Sequence, residues 1–305
     1  MIKNMRVALA EIGAIKIGGL GEEREGKSGK YRLPVKFDHI EIVSKVRDAQ
    51  GFYLPDPIMA KLGEKPMELD IVLLYDSVDL NFQTCYALYE GKKCRCRGDG
   101  EQAERHLKDG GTEMVICNES CEFLKKKLCK VSGCLSCLLP MSELVGGVYK
   151  FRTHGWNSVS NILGSLCFIY SMTGGKLSGI PLRLVLREKL AEYEEKGQQK
   201  TTKMWSFNVE FKGNIQTLRQ VSRSEAQERL QIGLDMKSVE EQIRNIVKAE
   251  TDDEAEEIQQ EFYPDKELQQ QAERERRTVG PTVTMEKTES IEEIAPGQTE
   301  IGGKV

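Results

Sequence analysis

Cysteine clustering is the feature of this sequence that most limits what the chain can fold into. Seven of the nine cysteines lie between Cys94 and Cys137, in a stretch with little hydrophobic periodicity. A disulfide scaffold spreads its cysteines through a small secreted fold, and the first ten residues lack the apolar core of a secretory signal. We therefore expect reduced thiols in a cytoplasm, and we expect the clustered cysteines to order their stretch by binding a metal.

Structural zinc fits these cysteines best, because it takes four soft ligands in a tetrahedron. Three residues separate Cys117 from Cys121, and Cys129 follows after seven more. Upstream, either Cys94 or Cys96 can supply the fourth ligand. A catalytic zinc is less favoured, since it keeps one position open and usually has His or Glu among its ligands.

The remaining cysteines fit a ligand role less well. Cys134 and Cys137 lie three residues apart in a predicted strand, so their side chains point to opposite faces. Cys85 and Cys167 lie in apolar segments and are predicted to be ordinary buried thiols.

Strand and helix patterns follow one another irregularly, which predicts an α+β fold with mainly antiparallel sheets and few helices. Residues 1–34 are predicted to be irregular because of their many glycines. Apolar runs predict strands at 35–43, 69–74, 85–89, 134–139, 148–153, 180–186 and 204–209, with 134–139 and 148–153 forming an antiparallel pair.

Helical patterns are fewer than strand patterns. A short helix is predicted at 56–62, and a longer one begins at Asn157 or Ser158 as its cap and ends at Gly174 and Gly175. The charged connector 187–196 is also predicted to be helix-prone.

Charge divides the chain into three parts. We predict an α+β body at 1–220 that includes a zinc-binding region at 94–137, a charged helical segment at 221–263, and a disordered tail at 264–305. From residue 224 onward acidic side chains outnumber basic ones about two to one, while the body carries a modest basic excess. That excess is small for a dedicated DNA-binding protein, so we expect a protein partner and weak or no independent DNA binding.

No catalytic set stands out, which predicts a protein that is not an enzyme and has no small-molecule substrate. Residues 21–28 formally match a phosphate-binding loop, but three glutamates lie inside it and the residues after it cannot begin a helix. His39, His106 and His154 are widely separated and belong to no metal or catalytic signature. The apolar runs are too short to span a membrane.

Four stretches of the chain together resemble the recombination directionality factor-like proteins of phages and integrated elements that use large serine integrases. The resemblance covers about residues 8–220. Its stretches are Ile71-Val72-Leu73-Leu74 running on to Tyr86-Ala87-Leu88-Tyr89, Cys96-Arg97-Gly98-Asp99-Gly100, Cys117-x3-Cys121-x7-Cys129 before Leu138-Leu139-Pro140, and Trp156-Asn157-Ser158 through to Gly179-Ile180-Pro181-Leu182.

The resemblance implies a non-enzymatic accessory protein in the cytoplasm of a bacterial host. Such proteins bind a large serine integrase on its attachment-site DNA, let it recombine the prophage-end sites so that the element is excised, and inhibit integration. The family pattern also places a zinc-type cysteine shortly before Gly-Asp-Gly, which here is Cys96 with Arg97 in between. By that match the resemblance narrows the structural Zn²⁺ ligands to Cys96, Cys117, Cys121 and Cys129, with Cys94, Cys134 and Cys137 as the candidates to replace one of them.

The alternative function is a phage DNA-metabolism protein, either a metal-dependent hydrolase or a single-stranded nucleic-acid binder. A hydrolase needs a carboxylate or histidine cluster, which the sequence does not offer. A strand binder needs aromatic residues interleaved with basic ones, and Phe207 and Phe211 with Lys203 and Lys212 provide a thin version of that pattern. A structural module without independent activity is a third possibility.

Overall fold

The structure of the chain is a computed structural model. It describes residues 9–26, 29–49, 53–90, 93–107, 109–195 and 198–244, together with residues 254, 255, 257, 258 and 262. All of them belong to one compact unit, Met1–Pro264. The tail predicted to be disordered and most of residues 245–263 lie outside the described residues, so the predicted division into a body, a helical segment and a tail stays a prediction.

Twelve strands occur in the described residues. They are β1 (Glu11–Gly26), β2 (Gly29–Arg47), β3 (Tyr53–Pro55), β4 (Glu68–Val72), β5 (Phe82–Glu90), β6 (Lys93–Gly98), β7 (Gln102–His106), β8 (Thr112–Ile116), β9 (Lys130–Cys137), β10 (Val148–Thr153), β11 (Pro181–Glu195) and β12 (Gln198–Glu210). Nine of them form one sheet in the order β3-β2-β1-β10-β9-β5-β6-β7-β8, and the other three form a second sheet in the order β12-β11-β4.

Antiparallel pairing dominates both sheets, and the pairing of β1 with β10 is the one parallel pairing among the described strands. The predicted antiparallel pair at 134–139 and 148–153 is present, because β9 pairs with β10 from Tyr149↔Cys137 to Thr153↔Gly133. The two sheets touch through isolated bridges, Val72 with Leu138 and Leu73 with Ser178.

The helices described are α1 (Met59–Leu62), α2 (Val78–Asn81), α3 (Glu122–Lys125), α4 (Trp156–Met172), α5 (Ile215–Gln231) and α6 (Met236–Arg244). Helix α4 has its apolar residues at helical spacing, and its buried Val159, Ile162, Leu166 and Ile169 pack into the main core. That core lies between one face of the nine-stranded sheet, α4 and the three-stranded sheet, where the rings of Phe151 and Phe207 are 4.2 Å apart. The predicted α+β class, with mainly antiparallel sheets and few helices, is confirmed.

Two regions differ from the sequence-based expectation. Residues 1–34 were expected to be irregular, yet from Glu11 they form a long hairpin of β1 and β2 that closes at Gly26↔Gly29. The connector 187–196 was expected to be helix-prone, yet it continues β11, which pairs with β12 as far as Glu195↔Gln198. In both places two adjacent segments of the chain satisfy each other's backbone hydrogen bonds, and this pairing outweighs the local preference for turn or helix.

Smaller corrections concern the start of α4 and one cysteine. Gly155 is the N-cap of α4, so Asn157 and Ser158 lie inside the first turn, and the hydroxyl of Ser158 accepts a hydrogen bond from the backbone N–H of Phe207 at 3.1 Å instead. Cys167 is exposed on α4 and is not a buried thiol as predicted, whereas Cys85 is half-buried.

Candidate functional site

A compact module of three short strands and a one-turn helix holds the cysteine-rich stretch. Strands β6, β7 and β8 form successive antiparallel pairs at the end of the large sheet, and α3 follows β8. Cys96 lies within β6, Cys117 directly follows β8, Cys121 is the N-cap of α3, and Cys129 directly precedes β9. Each candidate ligand thus lies at or near the end of a different element.

A tight turn brings β6 and β7 together. The carboxylate of Asp99 accepts hydrogen bonds at 2.8 Å from the backbone N–H groups of Glu101 and Gln102, and Gly100 takes a positive φ of 104°. The backbone N–H of Cys117 then donates to the carbonyl of Glu101 at 2.8 Å. This chain of bonds places Cys117 beside β6.

A second set of turns returns the chain from Cys121 to Cys129. The backbone N–H of Cys121 donates to the carbonyl of Asn118 at 2.9 Å, and the N–H of Cys129 donates to the carbonyl of Phe123 at 3.2 Å. Lys127 is the one described non-glycine residue with positive φ, at 53°. The backbone at Lys127 therefore turns back on itself, and Cys129 packs against the small cluster that contains Cys96 and Cys117.

The four cysteines singled out by sequence lie near one another. Burial and, to a smaller extent, the nearby Cys96, Cys117 and Cys121 raise the pKa of the Cys129 thiol to about 12. Burial likewise raises the pKa of Cys117, with Cys96 and Cys121 among the neighbouring charges that add to it. Four neighbouring thiols offer the soft donors that structural zinc takes, although their arrangement in the described structure does not itself form a metal site.

Space at the cluster is limited on the side of β6. A Cβ atom added at Gly98 would lie 2.6 Å from Sγ of Cys117 and 2.7 Å from Cβ of Ala103. Only glycine therefore lets Cys117 approach β6 this closely. Within the described residues, no three or more His, Cys, Asp or Glu side chains are arranged so that they could hold a metal ion as they stand.

Cys94 and Cys96, which spacing alone could not distinguish as ligands, have different surroundings in the structure. A register shift between Leu88 and Tyr89 interrupts the pairing of β5 with β6. Cys96 packs with Leu88 in the cysteine module, whereas Cys94 packs with Tyr89 in a different apolar cluster. The side chain of Cys94 thus packs in a different cluster from that of Cys96, although its thiol donates to the carbonyl of Cys96 at 3.6 Å.

Neither cysteine of the C-x-x-C pair joins that group. Cys137 is fully buried in the main core, where its thiol donates to the carbonyl of Tyr149 at 3.7 Å. Cys134 is also buried, on the same strand β9 but near Arg152.

Sequence reasoning missed one side chain of the module. The guanidinium of Arg105, on β7, lies 4.0 Å from Sγ of Cys121 and 4.7 Å above the ring of Phe123. A guanidinium beside a thiolate donates a charge-assisted hydrogen bond and offsets negative charge on a cysteine-rich metal site. No sequence motif marks this residue, because its role depends on the pairing of β7 with β6.

Basic side chains line the face of the large sheet that lies opposite the main core. On β10, Tyr149 and Phe151 point into the core, so by strand alternation Lys150 and Arg152 point the other way. Arg152 holds the carboxylate of Glu11 through two hydrogen bonds, at 2.9 and 2.5 Å. Burial alone would raise the pKa of Glu11, but Arg152, Lys45 and Lys150 outweigh it and lower that pKa to about 2.

Single-strand binding and phosphate binding gain little support from the geometry. Phe207 is 2% exposed within the main core, so its ring cannot stack on a nucleic-acid base, and Lys203 pairs with Glu188 at 3.0 Å. Residues 21–26, which begin the formal phosphate-loop match, lie in β1 and not in a loop before a helix. No helix in the described part of the chain is long and apolar enough to cross a lipid bilayer.

Comparison with protein families gives one match. The model of the family described as Gp3-like, recombination directionality factor-like, matches residues 12–223. The matched range runs from β1 into α5 and includes both sheets, α4 and the whole cysteine module. Searches of the curated proteins and of the solved structures found no match.

Proposed function

This chain belongs to the recombination directionality factor-like family, and we propose that it binds a large serine integrase and switches that integrase from integration to excision. The observation that carries the proposal is the family match over residues 12–223, which takes in the complete double-sheet body. On this proposal the partner is the integrase on its attachment-site DNA in the bacterial cytoplasm, and the protein needs no catalytic group of its own.

Differential binding is sufficient for such a switch. A protein that binds one integrase conformation more tightly than another shifts the equilibrium between them by that difference. Moving a 1:99 preference to 99:1 takes about 5.5 kcal/mol, which a protein–protein interface of ordinary size can supply.

An in-vitro recombination assay tests the proposal. Purified protein is added to the integrase of the same element with either the prophage-end sites or the integrative pair of sites. We expect recombination of the prophage-end sites to rise and integration to fall. If neither reaction changes, the proposed function is wrong, and hydrolysis and single-strand binding are the activities to assay next.

We further propose that Cys96, Cys117, Cys121 and Cys129 hold one structural Zn²⁺ per chain. The proposal is supported by the gathering of these four thiols, by the close approach of Cys117 at Gly98, and by Arg105 beside Cys121. Bound zinc would deprotonate the thiols and hold the ends of β6, β8 and α3 together, so the energy of binding would contribute to folding of the module.

Replacing Cys121 by Ser tests the zinc proposal. We expect Cys121→Ser to lose the metal and to lower the melting temperature, because three soft ligands hold structural zinc poorly. Elemental analysis of freshly purified protein measures the metal. Cys167→Ser is the matched control, since Cys167 is exposed on α4; it should keep one zinc. Native protein without zinc would contradict the proposal.

A further inference from the structure

An acidic part of the chain lies on the basic face of the large sheet. We use the name basic face for Lys45, Arg47, Lys130, Lys150 and Arg152, and the name docked segment for residues 254–262, of which Glu254, Ala255, Glu257, Ile258 and Phe262 are described. The described residues of the docked segment are helical, and they lie about 100 positions after β10 in sequence. The contact is therefore a long-range one.

Ion pairs attach the docked segment at its first residues. Lys150 donates to Glu254 at 2.7 Å, and the side chains of Lys150 and Glu254 are only 2% and 8% exposed. Arg152 approaches the other oxygen of Glu254 at 3.3 Å. Glu257 accepts from Lys45 at 2.7 Å and approaches Arg47 at 3.4 Å. Two carboxylates of the segment thus contact four cations from two strands.

An apolar trough beside these charges receives the other side of the segment. Ala255 and Ile258 are buried against Ala87 and Tyr89 of β5, and Phe262 packs at the edge of the same cluster. Residues 255, 258 and 262 recur at the spacing of one helix face, while Glu254 and Glu257 occupy the adjacent face. The basic face therefore selects a ligand by both charge and helical amphipathicity.

The far end of the segment is held by a cation and a ring. Lys130 donates to the backbone carbonyl of Phe262 at 2.7 Å, and the ring of Phe262 stacks on His154 with centroids 4.1 Å apart. A backbone carbonyl is a favourable acceptor for the charged ammonium of a lysine. Contacts thus extend from Glu254 to Phe262 along the whole described part of the segment.

We propose that the basic face is a docking groove for an acidic amphipathic helix of a protein partner, and that the docked segment fills this groove in the free protein and competes with that partner. Taking the partner to be the integrase rests on the proposed function. Without the docked segment the groove would present five cations and the carboxylate of Glu11 beside exposed Ala87 and Tyr89. An acidic helix restores both sets of contacts, whereas the sugar–phosphate backbone of a nucleic acid would leave the apolar trough uncovered.

The first test measures whether the groove accepts the segment in trans. The probe is a fluorescent peptide with the sequence of residues 250–264, and the protein is the full chain carrying Glu254→Ala and Ile258→Asp, which weaken docking in cis. We expect the peptide to bind this double variant at least about tenfold more tightly than it binds the unaltered chain, because the competing segment no longer fills the groove. Equal affinities would overturn the proposal.

Matched variants identify the surface that binds the peptide. Glu228→Ala with Leu230→Asp makes the same chemical changes on α5, where both side chains are exposed, and it should bind no better than the unaltered chain. We call the Glu254→Ala, Ile258→Asp double variant the released chain. Adding Lys45→Glu to the released chain should abolish its gain in affinity for the peptide, whereas adding Lys45→Arg should keep that gain. Lys45 is chosen because it lies at the rim with 22% exposure, so its replacement leaves buried Lys150 in place. Because Lys45 also contacts Glu11 at 3.2 Å, the melting temperature of the Lys45→Glu chain is measured to check that it still folds. A gain that survives Lys45→Glu would overturn the assigned groove.

Two further measurements test whether a nucleic acid or a second copy of this chain, rather than a helix of a protein partner, occupies the groove. Tighter binding of a single- or double-stranded oligonucleotide than of the peptide would overturn the proposal in favour of a nucleic-acid surface, and concentration-dependent dimers of the released chain would overturn it in favour of a second copy. The integrase itself should bind the released chain more tightly than the unaltered chain. If the integrase binds the two chains equally tightly, the docked segment does not compete with it, and the proposed function stands. If the integrase binds neither chain, the proposed function is wrong.

Discussion

At the scale of single residues, four buried charged side chains of the described structure pair with one another. Lys150, Arg152, Glu11 and Glu254 form one network on the basic face, and each has at least one ionic contact below 3 Å. Burying such groups without partners would cost several kcal/mol per ion. None of these pairings could be predicted from sequence, because residues at 11, 150, 152 and 254 meet only after the large sheet has formed and the docked segment has returned to it.

His154 should make the protein sensitive to mild acid. Burial and, to a smaller extent, the charges of Lys130 and Arg152 lower the pKa of His154 from 6.5 to about 3. The folded state thus keeps the imidazole neutral, while the unfolded chain takes up a proton below pH 6.5. Stability should therefore be unaffected by His154 above pH 6.5 and should fall as the pH drops from 6.5 towards 3, by about 2 kcal/mol at pH 5.

Urea unfolding at pH 7.5 and pH 5 measures this loss. The free energy of unfolding at pH 7.5 should exceed that at pH 5, and this difference should shrink in His154→Gln, which cannot titrate. The difference should persist in His106→Gln, since His106 is exposed on β7. An undiminished difference in His154→Gln would show that other groups cause the acid sensitivity.

At the scale of elements, local pattern predicted the strands that have apolar runs of their own. Residues 69–74, 85–89, 148–153 and 204–209 all fall largely within observed strands, because a buried strand needs little more than a short apolar run. Pattern failed only for parts of the two long hairpins, between 11 and 34 in the first and from 187 to 195 in the second. Their outer halves are rich in glycine or in charged helix formers, and they are strands only because a neighbouring strand pairs with them.

Local sequence pattern identified only part of the candidate zinc site. Spacing and family resemblance together named Cys96, Cys117, Cys121 and Cys129, which the fold gathers, and their zinc stays a prediction. Spacing alone could not choose between Cys94 and Cys96, because that choice depends on the register shift at Leu88 and Tyr89.

The outer part of the second hairpin should exchange its amide protons faster than its base. Leu184 lies between β12 and β4, whereas Leu190 pairs only with β12 and is exposed. A two-stranded ribbon is marginally stable in water. Hydrogen exchange followed by mass spectrometry should show weaker protection for 188–195 than for 182–186. Equal protection would indicate a further contact along the ribbon.

At the scale of the whole molecule, the described body is a double-sheet unit whose acidic part folds back onto its own basic face. The unit Met1–Pro264 ends two residues after Phe262. The charge asymmetry that sequence analysis noted therefore has a structural counterpart, since part of the acidic excess neutralises the basic body. Composition predicted both charges but gave no sign that they meet.

Two chain lengths should distinguish the docked segment from the residues that follow it. A chain ending at Pro264 should keep the melting temperature of the full protein, because the compact unit is retained. A chain ending at Arg244 should melt about 5 °C lower, since it loses the ion pairs of Glu254 and the buried Ile258. Calorimetry measures both. A large loss on removing 265–305 alone would contradict the prediction.

The parallel junction of β1 with β10 has a consequence for the order in which a growing chain can fold. Residues of β1 leave the ribosome before those of β10, and Ile15 gains its neighbour in the sheet only when Phe151 has also been made. At about 10 residues per second this delay is on the order of 13 s. Throughout that interval the early hairpin of β1 and β2 presents an unpaired edge with apolar side chains, which is a site for aggregation. We therefore expect chaperone binding or rapid translation to protect this edge while the chain is being made.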